Sequence, residues 1–405
     1  MPASDAADLI ACPDCGALYR RAAVAPGEKA RCRRCGRMLY RGARLNAERL
    51  PALVCAALIV LLIANSAPIV DLRVQGISNS ATLAGSIRAL WADGRPLVAA
   101  LVAATTLAFP LLDLCALGAA VLLLRRDPAC NAAARLLRVL QAVRPWGMVE
   151  VFMLGVLVAL VKLSHMAEIR PGVALWAFAA LTVLLAAILS YDLRGLWESR
   201  PVAPHPPPPE AAPLVPCHVC GLVGAPAPHC PRCGAPVHAR KPASLARTWA
   251  FLLAGAILYI PANVLPIMRT SSLGGVESDT IMSGIVYFWT SGSPDLAALI
   301  FFVSIFIPLA KIGSLTMLLF TVGRGSPRGK RRRTALYRIL AFVGRWSMLD
   351  VFVVALMVGL VRFGALAAID AGPGAAAFGA VVVLTMIAAH DFDPRLLWDS
   401  EAPHD

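Results

Sequence analysis

Eight of the eleven cysteines fall into four Cys-x-x-Cys-Gly knuckles. Cys12 and Cys15 answer Cys32 and Cys35, and Cys217 and Cys220 answer Cys230 and Cys233. Each knuckle sets two thiolates on one side of a metal ion, and the glycine that follows permits the tight turn. Two knuckles complete a tetrahedral four-sulfur site with no open position, which is structural rather than hydrolytic. Softness and geometry favour zinc, one ion per cysteine quartet, and a rubredoxin-like iron site uses the same ligands. Disulfides do not suit a reducing compartment, where the topology argued below puts these segments. A thioredoxin-like dithiol needs a βαβ frame that segments this short cannot supply. Cys55, Cys115 and Cys130 have no partner at ligand spacing and read as small apolar fillers. His218, His229 and His238 flank a site already complete.

A second set of polar residues lies inside apolar runs, where ionisable groups are costly and usually functional. Lysines stand only at 29, 162, 241, 311 and 330, and Lys311 sits in the apolar run Phe306-Ile-Pro-Leu-Ala-Lys-Ile. Ser304 precedes it by two helical turns, which places both on one face of an ideal helix. Pro308 between them loosens the helix and frees backbone carbonyls. With Ser347 and Thr385, these residues are expected to line a small polar cavity. Asp113, Glu150 and Asp350 are candidate structural or coupling charges, the last two within reach of Arg144 and Arg345. Lys162 and Arg362 stand near run ends and suit snorkelling to the interface.

The elements that must position these residues are membrane spans. The chain of 405 residues is 58% hydrophobic and 15% charged, against about 25% charged in soluble domains. Eight apolar runs, near 51–70, 96–124, 147–165, 173–191, 245–267, 295–322, 346–363 and 374–391, approach the length that crosses about 30 Å of hydrocarbon. They form two copies of one unit. Asn65-x-x-Pro68-Ile69 recurs at Asn263 with a shift of 198, Trp146-x-Met148-x-Glu150-Val151-Phe152 recurs at Trp346 with a shift of 200, and Asp192-x-Arg194-x-x-Trp197 recurs at Asp393 with a shift of 201. Thr106 and Asp113 occupy the positions of Ser304 and Lys311, and Gly147 and Leu184 those of Ser347 and Thr385, so polarity is concentrated in the second copy.

The formal charge of +14 clusters at 31–49, 125–144 and 324–345. The positive-inside rule makes those segments cytoplasmic, and an even number of spans per copy keeps both copies in the same orientation. The topology accounts for Lys330-Arg-Arg-Arg333 without nucleic acid, and such a run also suits anionic head groups. No cleavable signal peptide is expected, because the first 50 residues are polar and cysteine-bearing. The fold class is therefore all-α and polytopic: an N-terminal zinc ribbon at 1–49, a four-helix transmembrane bundle at 50–199, a proline-rich linker with a second ribbon at 200–244, and a second four-helix bundle at 245–405. The stretches 71–95 and 269–294 read as an interfacial segment or an ordered loop. No His-Glu-x-x-His, Gly-x-Ser-x-Gly or Walker motif is present, and an enzyme is not expected.

The duplicated unit, the ribbons, Asn-x-x-Pro-Ile, Trp-x-Met-x-[Asp/Glu]-Val-Phe and the closing Asp-x-Arg-x-x-Trp together resemble the paraquat-inducible protein A family of bacterial inner-membrane proteins. The long spacing inside the first ribbon and the run of prolines after residue 200 depart from that pattern. The resemblance implies transport of phospholipid between the inner and outer membranes with a periplasm-spanning partner of the MCE type. On that reading Lys311 attracts a lipid phosphate, while Ser304, Ser347 and Thr385 supply hydrogen bonds. The rival reading is a membrane-bound zinc or redox stress sensor with the ribbons as its switch.

Overall fold

The computed structural model describes the chain except residues 1–8, 26, 43–46, 75–76, 164–167, 192, 203–212, 273–274, 325–328, 362–366 and 400–405. Six helical runs among the described residues are long and apolar enough to cross a membrane: Pro96–Arg126, Asn131–Val161, Ser244–Val264, Pro294–Gly323, Lys330–Leu360 and Pro373–Asp391. Two further apolar helices, Leu50–Ser66 and Val173–Leu189, have 17 residues each. At 1.5 Å per residue that is about 26 Å, slightly short of the hydrocarbon core.

In chain order the helices are α1 (Leu50–Ser66), α2 (Leu83–Ala92), α3 (Pro96–Arg126), α4 (Asn131–Val143), α5 (Val149–Leu163), α6 (Val173–Leu189), α7 (Leu193–Glu198), α8 (Ser244–Val264), α9 (Ile281–Thr290), α10 (Pro294–Gly323), α11 (Lys330–Val343), α12 (Leu349–Leu360) and α13 (Pro373–Asp391). The basic segments 125–144 and 324–345 contain α4 and α11. In α4, Ala133, Ala134, Leu137 and Leu140 are buried at helical spacing, with arginines at 135 and 138 off that stripe. A short 3₁₀ turn then separates each from the apolar α5 or α12. In both α3 and α10 a π-helical turn, Ala104–Ala108 and Phe301–Phe306, stands just before Pro110 or Pro308. The wide turn relieves the clash a proline ring makes with the preceding turn. It also adds a residue to the turn, so Ser304 and Lys311 are not aligned as on an ideal helix.

The stretches after the first helix of each copy are not loops. β5 (Val70–Val74) and β6 (Ile77–Ala81) form a hairpin joined by β7 (Glu168–Pro171), and β10 (Met268–Ser272), β11 (Gly275–Asp279) and β12 (Ala367–Ala371) repeat that antiparallel sheet. An amphipathic helix follows each hairpin, capped by the Thr82 or Thr280 side chain. These small sheets qualify the all-α expectation. They also explain Asn-x-x-Pro-Ile. The Pro68 and Ile69 carbonyls accept the amides of Ala174 and Gly172 at the start of α6, and Pro266 and Ile267 do the same for Gly374 and Gly372 at α13. Gly172 and Gly372 lie so close to those carbonyls that a Cβ has no room. The proline thus frees acceptors for otherwise unpaired helix N-termini.

Within each copy the first helix packs along the last, α1 on α6 and α8 on α13. The copies meet where α5 crosses α12. Phe152 meets Phe352 edge-to-face at 5.6 Å, and Gly155 lies against the Phe352 side chain and the Leu349 carbonyl. α12 also receives α2, whose Ser86 occupies the space beside Gly359. In the other copy Ala159 replaces that glycine, and α9 leaves Met282, Tyr287 and Trp289 exposed. The pseudo-symmetry fails at this point.

Candidate metal centres and the buried lysine

The first ribbon is two hairpins, β1 (Leu9–Ala11) with β2 (Leu18–Arg20) and β3 (Lys29–Arg31) with β4 (Met38–Arg41). The second contains the short pair β8 (Val215–Pro216) and β9 (Val223–Gly224). In every knuckle the glycine amide donates to the carbonyl of the first cysteine, at 2.8–2.9 Å. Gly16, Gly36, Gly221 and Gly234 all adopt φ between 71° and 76°, the left-handed turn that closes a knuckle. The eight thiols are buried in two quartets, each with its sulfurs within 4.8 Å of one another. Cys12 and Cys35 approach to 3.5 Å, Cys15 and Cys32 to 3.5 Å, Cys217 and Cys233 to 3.6 Å, and Cys220 and Cys230 to 3.5 Å.

A tetrahedron with about 2.3 Å metal–sulfur bonds has edges of about 3.8 Å, so both quartets fit a zinc-sized ion with little movement. The thiols alone are electrostatically awkward. A hydrogen bond from Cys15 holds Cys12 down at about 5, and the same contact drives Cys15 far up. Cys217 is held at about 7, mainly by Cys220, which is driven up in turn. Four crowded sulfurs cannot all ionise without a cation, and a divalent metal removes that conflict. In the first ribbon the Tyr19 hydroxyl lies 3.2 Å from the Cys32 sulfur. The other cysteines differ: Cys55 and Cys115 are exposed on the helices and Cys130 is half-buried. The histidines at 218 and 238 lie beside the second quartet and join no ligand set.

The ribbons dock crosswise. Asp14, inside the first knuckle, is buried and pairs with Arg338 of α11 at 2.6 Å, and Arg338 also donates to the Cys35 carbonyl at 2.9 Å. Arg34 stacks over Trp398 at 4.7 Å. The first ribbon therefore sits largely on the second copy, although Arg194 and Glu198 of α7 still hold Leu39 and Arg21. The second ribbon reaches α4 of the first copy, where Gln141 donates to the Val219 carbonyl at 2.8 Å.

Lys311 is 2% exposed, and its ammonium has no hydrogen-bond partner among the described residues. Its terminal carbons and Nζ lie over Gly344, where a Cβ would stand 3.1 Å away. Ser304 is buried and its hydroxyl is likewise unpartnered. The π turn carrying Ser304, the helix carrying Lys311 and the 3₁₀ turn carrying buried Ser347 pack on one another. Thr385 is also buried, but its hydroxyl donates to the Val382 carbonyl and its methyl packs beside Gly255 of α8.

In the first copy the same framework is closed by charge. Asp113 pairs with Arg144 at 3.1 Å, and the Thr105 and Thr106 hydroxyls donate to carbonyls of their own helix. The repeat register sets Asp113 against Lys311 and Arg144 against Gly344. One copy has an ion pair, and the other has a lone cation above a glycine. Sequence reading found Lys311 and overlooked Gly344, although subtracting 200 would have exposed it. Arg144 goes to Asp113 and not to Glu150, which is half-buried at the start of α5. Arg345 stacks over Phe342, and Asp350 is half-buried in the first turn of α12. The side chain of Lys162, together with His165 and Arg362, lies outside the described residues.

The sequence profile of the family described as paraquat-inducible protein A matches the chain twice, at 47–200 and 245–401, in agreement with the tandem repeat. The chain is 35% identical over 409 residues to intermembrane transport protein PqiA of Escherichia coli K12, covering 98% of this chain and 97% of that protein. It is 32% identical over 396 residues to lipophilic envelope-spanning tunnel protein A of the same organism, covering 97% and 92%. A probable intermembrane transport protein of Haemophilus influenzae is 31% identical over 411 residues, covering 96% and 95%. No solved structure matches the chain.

Proposed function

The chain belongs to the paraquat-inducible protein A family, and from that premise we propose that it is the inner-membrane component of an intermembrane phospholipid transport system. It is a transport component rather than an enzyme. α1, α3, α5 and α6 form one transmembrane four-helix bundle, and α8, α10, α12 and α13 form the other. The ribbons, each holding a structural zinc ion, and both termini face the cytoplasm. The small sheets face the periplasm, where an MCE-type partner would receive lipid from the second bundle or deliver lipid to it.

The observation that carries this reading is the unpartnered Lys311 ammonium above Gly344, in the copy that lacks the Asp113–Arg144 pair. A buried cation without a counter-ion is strongly disfavoured unless an anion visits it. A phospholipid phosphate has the right charge, and Ser304 and Ser347, on the neighbouring turns, would hydrogen-bond it. Thr385 belongs to the same bundle and shapes the α8–α13 wall. The reactive step is binding alone, so no covalent chemistry is needed.

Mass spectrometry of the lipids that co-purify with the full chain tests this. Wild-type protein should retain phospholipid, and Lys311→Met should retain several-fold less. Equal retention by Lys311→Met, with unaltered outer-membrane lipid balance in a strain relying on that variant, would sink the reading.

A further inference from the structure

At the ribbon end of the second copy a second site with an unpaired cation is built from different elements. The second ribbon, the Arg240–Pro242 segment, the start of α8 and the end of α13 enclose a cavity of about 270 Å³. Its arginines are already matched with acids. Arg395 pairs with buried Asp393 at 2.8 Å, Arg240 with Asp399 at 2.6 Å, and Arg247 with Asp391 at 3.1 Å. Lys241 is the exception. The Asp391 and Asp393 carboxylates lie near enough to act on it, but it makes no ion pair with them among the described residues, and its ammonium donates to the His390 carbonyl, which leaves two N–H groups free.

Other groups border the same space. α8 begins at Ala243, which has no side-chain oxygen to cap the first-turn amides. A 21-residue helix therefore presents roughly half a positive charge at this end. The imidazoles of His218 and His238 line the cavity from the ribbon, and His390 lines it from α13.

We propose that this cavity binds a phosphate group, with Lys241 as its charged contact and the histidines and α8 amides as neutral donors. The volume admits a phosphate with a glycerol-sized neighbour, and is too small for a whole lipid. α8 and α13 are both long enough to cross a bilayer, so their ends lie at head-group depth. The phosphate can come from a lipid head group or from free solution. Either would be shared by the ribbon and two helix ends, fastening the second ribbon to the membrane surface. The site is separate from Lys311 and does not depend on the transport reading.

The test uses the full chain in detergent with two probes: short-chain phosphatidylglycerol followed by native mass spectrometry, and inorganic phosphate followed by ³¹P line broadening. Wild-type protein should bind at least one probe saturably. Lys241→Gln should weaken that binding about tenfold or more, and Lys241→Arg should restore most of it. Binding of the lipid alone assigns the head group, and binding of phosphate alone assigns the free anion. No saturable binding of either probe, or equal binding by Lys241→Gln, overturns the proposal. If Lys241→Gln loses its bound metal and so its fold, His390→Gln decides, and unchanged binding there also overturns it.

Discussion

A lysine held among helices without a carboxylate costs stability, a cost that the proposed phosphate contact would offset. Asp113 and Arg144 show what the same position looks like when the charge is paired, with side chains 10% and 14% exposed. Removing one member of such a pair leaves an uncompensated charge, so Asp113→Asn should cost about 3–5 kcal/mol. Lys311→Met should do the opposite and raise the melting temperature, because an unsatisfied buried polar group costs about 1–3 kcal/mol or more. Opposite signs in one thermal-shift experiment would separate the structural charge from the functional one. If both variants destabilise equally, Lys311 has a partner that the buried geometry does not suggest. Asp393 makes a further residue-scale case. Burial pushes its carboxyl up, but the hydrogen bonds and charge of Arg395 outweigh burial and hold it below its ordinary value. A folded value below the unfolded one stabilises above about pH 4 and loses that contribution as the pH falls through the folded value. Wild type should therefore outlast Asp393→Asn at pH 6, with the gap closing below about pH 4. Melting curves across pH 3–6 would check this, and a pH-independent gap would contradict it.

At the scale of elements, the cysteine knuckles were fully legible because every part of a knuckle lies within five residues. The repeat and six spans of membrane-crossing length were legible for the same reason, since apolar runs and fixed shifts are linear patterns, whereas the expected spans at 51–70 and 173–191 are helices of 17 residues. α4 and α11 were hidden because their arginines satisfied a topology rule and drew attention from the apolar stripe beneath. The sheets were hidden because the third strand of each arrives from a distant segment, as where Val70 pairs with Pro171. The crossed docking left no linear trace at all, because Asp14 and Arg338 are 324 residues apart. That crossing decides which copy responds when the first ribbon is lost. Cys12→Ser with Cys15→Ser should release the first metal and expose α11 of the second copy, not α4 of the first. Hydrogen exchange of 330–343 should rise markedly while 131–143 stays near wild type. A response confined to the first copy would mean that the Asp14–Arg338 contact does not hold the ribbon.

At the scale of the molecule, the two copies are held by more than the chain that joins them. The α5–α12 seam buries Phe152 and Phe352, α2 locks into Gly359, and each ribbon reaches the opposite copy. Burying one phenylalanine contributes about 1.5–3 kcal/mol in water. In a bilayer the corresponding gain is packing, which glycines such as Gly155 and Gly359 permit by close approach. The covalent connection at 203–210 should then be dispensable for association. Co-expressed chains ending and beginning within that stretch should purify together through one affinity tag, each with its own metal. Gly359→Leu should drive Ser86 and α2 away, at a cost of about 1–3 kcal/mol from overpacking, and should reduce recovery of the untagged half. Independent purification of the wild-type halves would mean that the seam is incidental and that the connection alone keeps a closed copy beside an open one. Joint purification would mean that the asymmetry is built into one packed unit, with the Asp113–Arg144 copy bracing the copy whose lysine has been left without a partner.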